Sequence, residues 1–563
     1  MDSEPDVTGD TIREKRLGLI LVLCGTTLVY VFAHASALLN PYVLNDDVRQ
    51  QLFWMARWHD PTLFQDDYLA RYAQYYVPWG VQAVYYLGSW FMDPIQFSKV
   101  VTGVLMVTTA GFLFGLALQF GNVRAAVFVV CLSLFFTSFI RKMSGGLSQG
   151  FAYPLLVAYL FFLARDAWWR MGFVILLCSL FNPYICLLCL GTHLCYLLWV
   201  FFTTQRDDED GKPRRRAFLL AQWPVLIAIS LIVLKYAVLT PGEFGELVTG
   251  SEMEGKPEYT ATGRVLIVPP PALISELVRP WLDVFPVAEW GPLFGWIGAV
   301  LVTGTVGIAL ICPEKGIHLR GFKPFIYLLP ASFSLYGISH TVLLKLFFPE
   351  RYLEFSLNLL YCVVLGLSMS IIGRHLKLRR YALLLIPTLV FILAAVRLFG
   401  VGVYDYSEHE GLYRFLQNTP KDTVVAGHPE LMDNILVFSK RRVFVSYELS
   451  HTWIRGYWNT IKERTTALFS AYYAENPVQI REFCSANGIK YVVVRERDFF
   501  EESLKGGTVY FEPFGSMIQE LTRDRSRFAA LDRESFPVIY ERDGIRLLRI
   551  EDDSESAPHR ELN

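Results

Sequence analysis

Two pairs of adjacent carboxylates, Asp46-Asp47 and Asp66-Asp67, stand in a polar stretch running from Asn40 to Pro94. Such groups can accept a proton from a hydroxyl or hold a divalent cation. Asn45 is a good helix N-cap, which puts Asp46 and Asp47 in a first helical turn. Val48, Leu52 and Met55 follow at spacings of four and three, as one apolar stripe. The positive end of the helix dipole favours ionised carboxylates there, so both are expected to be anionic at neutral pH. The same charge would equally make them plain stabilisers of the helix end. Cations recur further along: Arg141 and Lys142 in RKMSGGLSQG (141–150), then Lys345 and Arg351 beside Glu350 and Glu354 in KLFFPERYLEF (345–355). Singly, each reads as an anchor at a membrane interface. Together on the face that bears the acids, they suggest a phosphate site.

The elements that must position these groups are mostly membrane-spanning. The chain has 563 residues, is 53% hydrophobic and has a mean hydropathy of +0.34. Leu17 to Leu39 carries no charged residue over 23 positions, more than the roughly 20 that a spanning helix needs. Apolar segments recur at about 17–39, 98–119, 124–140, 151–164, 170–181, 184–203, 217–239, 291–311, 323–345, 352–373 and 381–400. The expected fold is therefore a polytopic α-helical membrane protein of about eleven transmembrane helices. Basic residues at 124, 165–170, 206–216, 315–323 and 373–380 fall in alternate loops, which places the N-terminus in the cytoplasm. The stretch 1–16 is then a cytoplasmic segment before an uncleaved first helix. The membrane domain runs over 17–403, with an outer loop at 40–97. Thirteen aromatic residues between Phe53 and Phe91 fit short helices at headgroup level. A net charge of −1 gives no basic field for nucleic acid. Most of the nine cysteines lie in apolar spans, where Cys186 and Cys189 fit helix packing better than metal binding.

From about residue 404 the composition is that of a soluble domain. Short β runs at Thr423–Ala426, Val443–Ser446, Tyr491–Val494, Val538–Glu541 and Ile545–Ile550 alternate with helical patterns at 409–417, 429–437 and 477–487. This alternation predicts a small extracytoplasmic α/β domain over 404–552 with a partly parallel sheet. It contains no glycine-rich phosphate loop and no nucleophile elbow. The charged end, 553–563, is expected to be disordered.

The sum of these features resembles the GT-C superfamily of membrane glycosyltransferases, which use polyprenyl-phosphate-linked sugars. Protein mannosyltransferases, aminoarabinose transferases and oligosaccharyltransferases belong to it. The resemblance rests on Asn45-Asp46-Asp47 after the first span, the aromatic loop ending in Asp93-Pro94, Arg141 through Gly150, and Pro349-Glu350-Arg351-Tyr352. The tail pattern TPKDTVVAGHPE…IKYVVV is similar too. It implies sugar transfer from a polyprenyl phosphate to a glycan, lipid or protein acceptor, with inversion at the anomeric carbon. Asp46 or Asp47 would be the base, with Asp66 and Asp67 as secondary candidates. Arg141, Lys142 and Arg351 would hold the phosphate, with Glu350 and Tyr352 beside them at the donor site. Any divalent cation, Mg or Mn, would sit on Asp46 and Asp47. The chain departs from the oligosaccharyltransferase branch, since RKMSGGLSQG carries no DxD carboxylate and the tail has no WWD-type signature. Both departures count against a metal-dependent mechanism and an asparagine acceptor.

The resemblance also implies a multi-pass protein of a bacterial inner membrane, in contact with membrane lipid and active on the extracytoplasmic face. A polysaccharide polymerase or ligase shares the lipid-linked substrate, but would rely on outer-loop arginines and histidines, of which His340 alone is near such a place. A transporter would carry ionisable groups near mid-membrane, and the spans here are nearly free of charge. A non-catalytic protein of cell-envelope glycan assembly would keep the same scaffold.

Overall fold

The computed structural model describes residues 11–204, 218–238, 242–266, 273–284, 300, 303–304, 307, 322–342, 348–375, 382–505, 509–525 and 527–550. Thr11 starts the first helix, Ile12–Ala33, with a capping box: its hydroxyl accepts from the Glu14 amide at 3.2 Å. The helix thus begins before Leu17, because the cap lies in the polar segment rather than at the edge of the apolar run. Among the described residues, five helices are long and apolar enough to cross a bilayer: Ile12–Ala33, Pro94–Ala117, Pro183–Phe202, Phe218–Tyr236 and Glu350–Gly373. Val123–Ser133 and Thr137–Met143 form a sixth only as a pair bent by 67°. Ser148–Ala164, Trp168–Phe181 and Leu385–Arg397 are apolar but shorter. The segment expected at 291–311 lies almost wholly outside the described residues, as do Lys345 and the charged end at 553–563.

Close packing draws these helices together. A Cβ on Gly366 would meet the Val129 backbone nitrogen at 2.7 Å, so the Glu350–His375 and Val123–Ser133 helices touch where only glycine fits. Cys186 and Cys189 are fully buried within the Pro183–Thr204 helix.

The tail folds as a five-stranded mixed sheet. Its strands are β3 (Val424–Gly427), β4 (Arg442–Val443), β5 (Ile489–Arg495), β6 (Val538–Arg542) and β7 (Ile545–Arg549), in the order β4-β3-β5-β7-β6. β3 is parallel to β4 and β5, whereas β7 runs antiparallel to β5 and β6. Helices Glu410–Gln417, Pro429–Asn434 and Pro477–Ala486 fall where the apolar periodicity predicts them. An 18-residue helix, Arg455–Tyr472, was not anticipated. Its buried residues, Tyr457, Trp458, Ile461, Thr465, Leu468, Phe469, Ala471 and Tyr472, have helical spacing, but three of the eight are aromatics with polar edges and one is a threonine.

A two-stranded ladder ties this domain to the first loop. β1 (Val43–Leu44) pairs antiparallel with β2 (Tyr404–Asp405), joining Val43 to Asp405 and Leu44 to Tyr404. The acidic loop and the tail domain therefore lie at the same end of the helix bundle.

Candidate functional site

Asn45 caps the Asp46–Gln51 helix by accepting from the Asp47 amide at 3.2 Å. Its own amide donates to the Gly402 carbonyl at 2.8 Å, fixing the helix start to the last membrane segment. The stripe of Val48, Leu52 and Met55 is fully buried beneath. From the other side comes Gly145, at φ +90°, where a Cβ would meet Asn45 at under 3 Å. The glycine pair of RKMSGGLSQG thus lets the loop close onto the cap, and Tyr85 donates to the Gly145 carbonyl at 3.1 Å.

The two neighbouring aspartates then part company. Asp46 faces the tail domain: Arg49 donates to it, as does the Tyr406 hydroxyl at 2.9 Å. The Arg49 guanidinium is nearly buried, lies 4.2 Å from the Tyr406 ring centre and donates to Asn434 at 2.8 Å. It also stands 3.8 Å from Asp433 and 3.6 Å from Glu448, which Arg264 reaches at 3.2 Å. Burial pushes the Asp433 and Glu448 carboxyls above the usual range; for Glu448 the charges of Asp433 and Asp46 push the same way. This network docks the tail on the membrane domain. Arg49→Ala would strand Asp433, 1% exposed at its side chain, without its cation. The expected cost is about 3–5 kcal/mol, checked as a lowered unfolding temperature of the detergent-solubilised protein.

Asp47 turns the other way. Gln50 donates to its Oδ1 at 2.8 Å. Burial and the charge of Asp46 hold the Asp47 carboxyl above the usual range; Arg351, Gln50 and Lys142 oppose that rise. Arg351 and Lys142 are therefore the cations that act on Asp47, one from the Glu350–His375 helix and one from the last turn of Thr137–Met143. The 67° bend before that short helix redirects it, and the helix's negative end favours its terminal Arg141 and Lys142. Lys142 pairs with Glu354 at 3.3 Å. Arg351 instead lies over Tyr184 at 4.8 Å and Phe348 at 5.2 Å, and among the described residues no carboxylate comes within ion-pair distance of it.

The remaining sequence candidates fall elsewhere. Arg141 is exposed on the same helix end, with its Cα packed under Gly402. Glu350 opens the helix that carries Arg351, whereas Tyr352 is fully buried, 6.0 Å from Tyr184. Asp67 is buried and caps the Tyr68–Tyr76 helix by accepting from Ala70 at 2.7 Å; Asp66 is exposed with φ +52°. Of the second acidic pair, Asp67 thus caps that helix and Asp66 stands in the turn before it. Among the described residues, no three His, Cys, Asp or Glu side chains gather as a metal-ligand set. Positive charge beside Asp47 is supplied by Arg351 and Lys142. Sequence reasoning missed Gln50, His451 and Trp453, which come together here from segments 400 residues apart. The spacing of Asp47 and Gln50, three apart on a helix, was the one available signal.

No family model matches this sequence, and no curated protein sequence matches it either. Among solved structures, the chain is similar to the Archaeoglobus fulgidus oligosaccharyltransferase in complex with Zn and sulfate, at 15% identity and a TM-score of 0.46, covering 89% of this chain and 70% of that one. It is similar to ArnT from Cupriavidus metallidurans in the apo state, at 13% identity and a TM-score of 0.46, covering 96% and 99%. ArnT bound to undecaprenyl phosphate gives 12% identity and a TM-score of 0.43, covering 96% and 99%. The likeness spans most of the chain and is distant in both sequence and geometry.

Proposed function

We propose that this chain is a membrane glycosyltransferase that moves a sugar from a polyprenyl-phosphate carrier to an acceptor hydroxyl on the extracytoplasmic face of a bacterial inner membrane. The observation that carries this reading is the pairing of Lys142 with Glu354 at 3.3 Å, which sets it against the helix of Arg351, with the charges of both cations acting on Asp47. Asp47 is the base. It takes the proton as the acceptor oxygen bonds to the anomeric carbon, and the bond from that carbon to the phosphate oxygen breaks. Arg351 and Lys142 hold the charge left on the phosphate. Attack opposite the leaving group inverts the anomeric carbon. Asp46 is committed to Arg49 and Tyr406, which leaves Asp47 as the base of the pair. No step is routed through a metal: the Gln50 amide donates to Asp47, and Arg351 and Lys142 supply the positive charge that acts on it.

The phosphate is what distinguishes this reading, so it is what the test varies. Long-chain polyprenyl phosphate is expected to raise the unfolding temperature of the purified protein, and the uncharged polyprenol is not. Equal effects of the two lipids would mean that the site reads only the chain, and the reading would fall.

A further inference from the structure

We propose that His451, in the tail domain, is a positioning residue that aims the Asp47 carboxylate by way of Gln50. The inference rests on Asp47 being the base, and it concerns how a second domain completes the site. His451 Nε2 lies 2.8 Å from Gln50 Oε1, and the Tyr72 hydroxyl lies 2.9 Å from Nδ1. Gln50 in turn donates through Nε2 to Asp47 Oδ1 at 2.8 Å. Tyr72, His451 and Gln50 are all buried, at 0%, 2% and 7% exposure, so each polar atom depends on its protein partner.

The direction of every bond in this chain follows from its end. A carboxylate only accepts, so Gln50 must present its amide NH2 to Asp47 and its oxygen to His451. His451 must then carry its proton on Nε2, and its bare Nδ1 accepts from Tyr72. The opposite amide orientation would set the Gln50 oxygen against the carboxylate. Burial, with Arg264 nearby, outweighs a backbone hydrogen bond at Glu448 and pushes the imidazole well below its ordinary value, which agrees with a neutral ring. Neutral His451 is thus a fixed donor.

The ring itself is clamped. It stacks on Trp453 at 4.0 Å, and Tyr76 and Tyr72 flank it at 5.0 and 5.5 Å. Its segment is held by the Tyr259 hydroxyl, which donates to the Thr452 carbonyl at 2.6 Å, and by the Trp453 carbonyl, which accepts from the Val248 amide at 2.9 Å. A flexible glutamine on a six-residue helix gains a single orientation from this rigid neighbour. Among the described residues, the charged and titratable groups that act on Asp47 are Asp46, Arg351, Lys142 and Tyr76; those around His451 are Arg264, Tyr72 and Tyr76.

The test reads the Asp47 proton directly. In an infrared pH titration of the purified protein, the carboxylic-acid C=O band of Asp47 is the one that Asp47→Asn removes. His451→Phe keeps a ring for stacking but cannot donate, so the Gln50 amide is released from its orientation. The titration midpoint should then rise by about half a pH unit or more, since a donor to the charged form has been lost. Gln50→Leu should raise it similarly, and the double variant should add little. Tyr72→Phe, which removes only the hydroxyl that holds Nδ1, should shift it in the same direction by less. It decides the matter if His451→Phe does not fold. An unmoved midpoint in the folded variants overturns the positioning role, whatever their turnover. If the midpoint moves while Asp47→Asn still transfers sugar, the positioning stands and the base assignment falls. An unmoved midpoint with inactive Asp47→Asn gives the reverse.

Discussion

Asp47→Asn is expected to insert and fold like the parent and to transfer sugar about 10²–10⁴-fold more slowly, the usual loss for a general base. Asparagine keeps the size of the side chain and can still face Gln50, but it cannot take a proton. Asp46→Asn makes the contrast. It weakens the bond to Arg49 and the contact with Tyr406, so its effect should be on docking of the tail, with turnover per folded molecule largely kept. The pH profile carries the same information. A base must be deprotonated, and burial holds the Asp47 carboxyl above the usual range. Turnover should therefore fall on the acid side at a higher pH than an ordinary aspartate would give. Parent-like turnover in Asp47→Asn, measured with a lipid-linked sugar donor, would end the assignment.

Arg351→Ala should weaken binding of polyprenyl phosphate by about 10–100-fold, the range for losing a charge-assisted hydrogen bond. The guanidinium lies against Tyr184 and Phe348, and among the described residues no carboxylate comes within ion-pair distance of it. Arg351→Lys should recover only part of the loss, because an ammonium neither stacks on these rings as a planar group does nor grips two phosphate oxygens. Arg141→Ala is the control. Its side chain is exposed, and its loss should change binding little. Binding titrations that rank Arg141 level with Arg351 would show that the phosphate sits elsewhere on this face.

Both predictions depend on a distinction that adjacent residues hide. In the sequence Asp46 and Asp47 are equivalent, as are Arg141 and Lys142, since local patterns report type and spacing alone. Neighbours on a helix point about 100° apart, so one of each pair meets a different environment. Which environment is a matter of packing: Asp46 meets Arg49 and Tyr406, whereas Asp47 meets Gln50 and feels the charges of Arg351 and Lys142. Tyr352 is lost to the core for the same reason, one position beyond Arg351.

What the sequence determined by itself is whatever a local rule controls. Apolar runs marked the long helices, Asn45 marked the start of the acidic helix, and β-branched runs such as Tyr491–Val494 marked the strands of the tail. These follow from burial in lipid, from capping and from backbone preference, each of which acts within a few residues. Only the tertiary structure decided what Asp47 would face. Lys142 arrives through a 67° bend with no proline to announce it, and Arg351 through a helix some 300 residues on. His451 comes from a different domain and meets Gln50 through a buried hydrogen bond between residues 401 positions apart. Such contacts are set by the docking of whole surfaces, held by Arg49 and by the β1–β2 ladder, and no local stretch of chain encodes them.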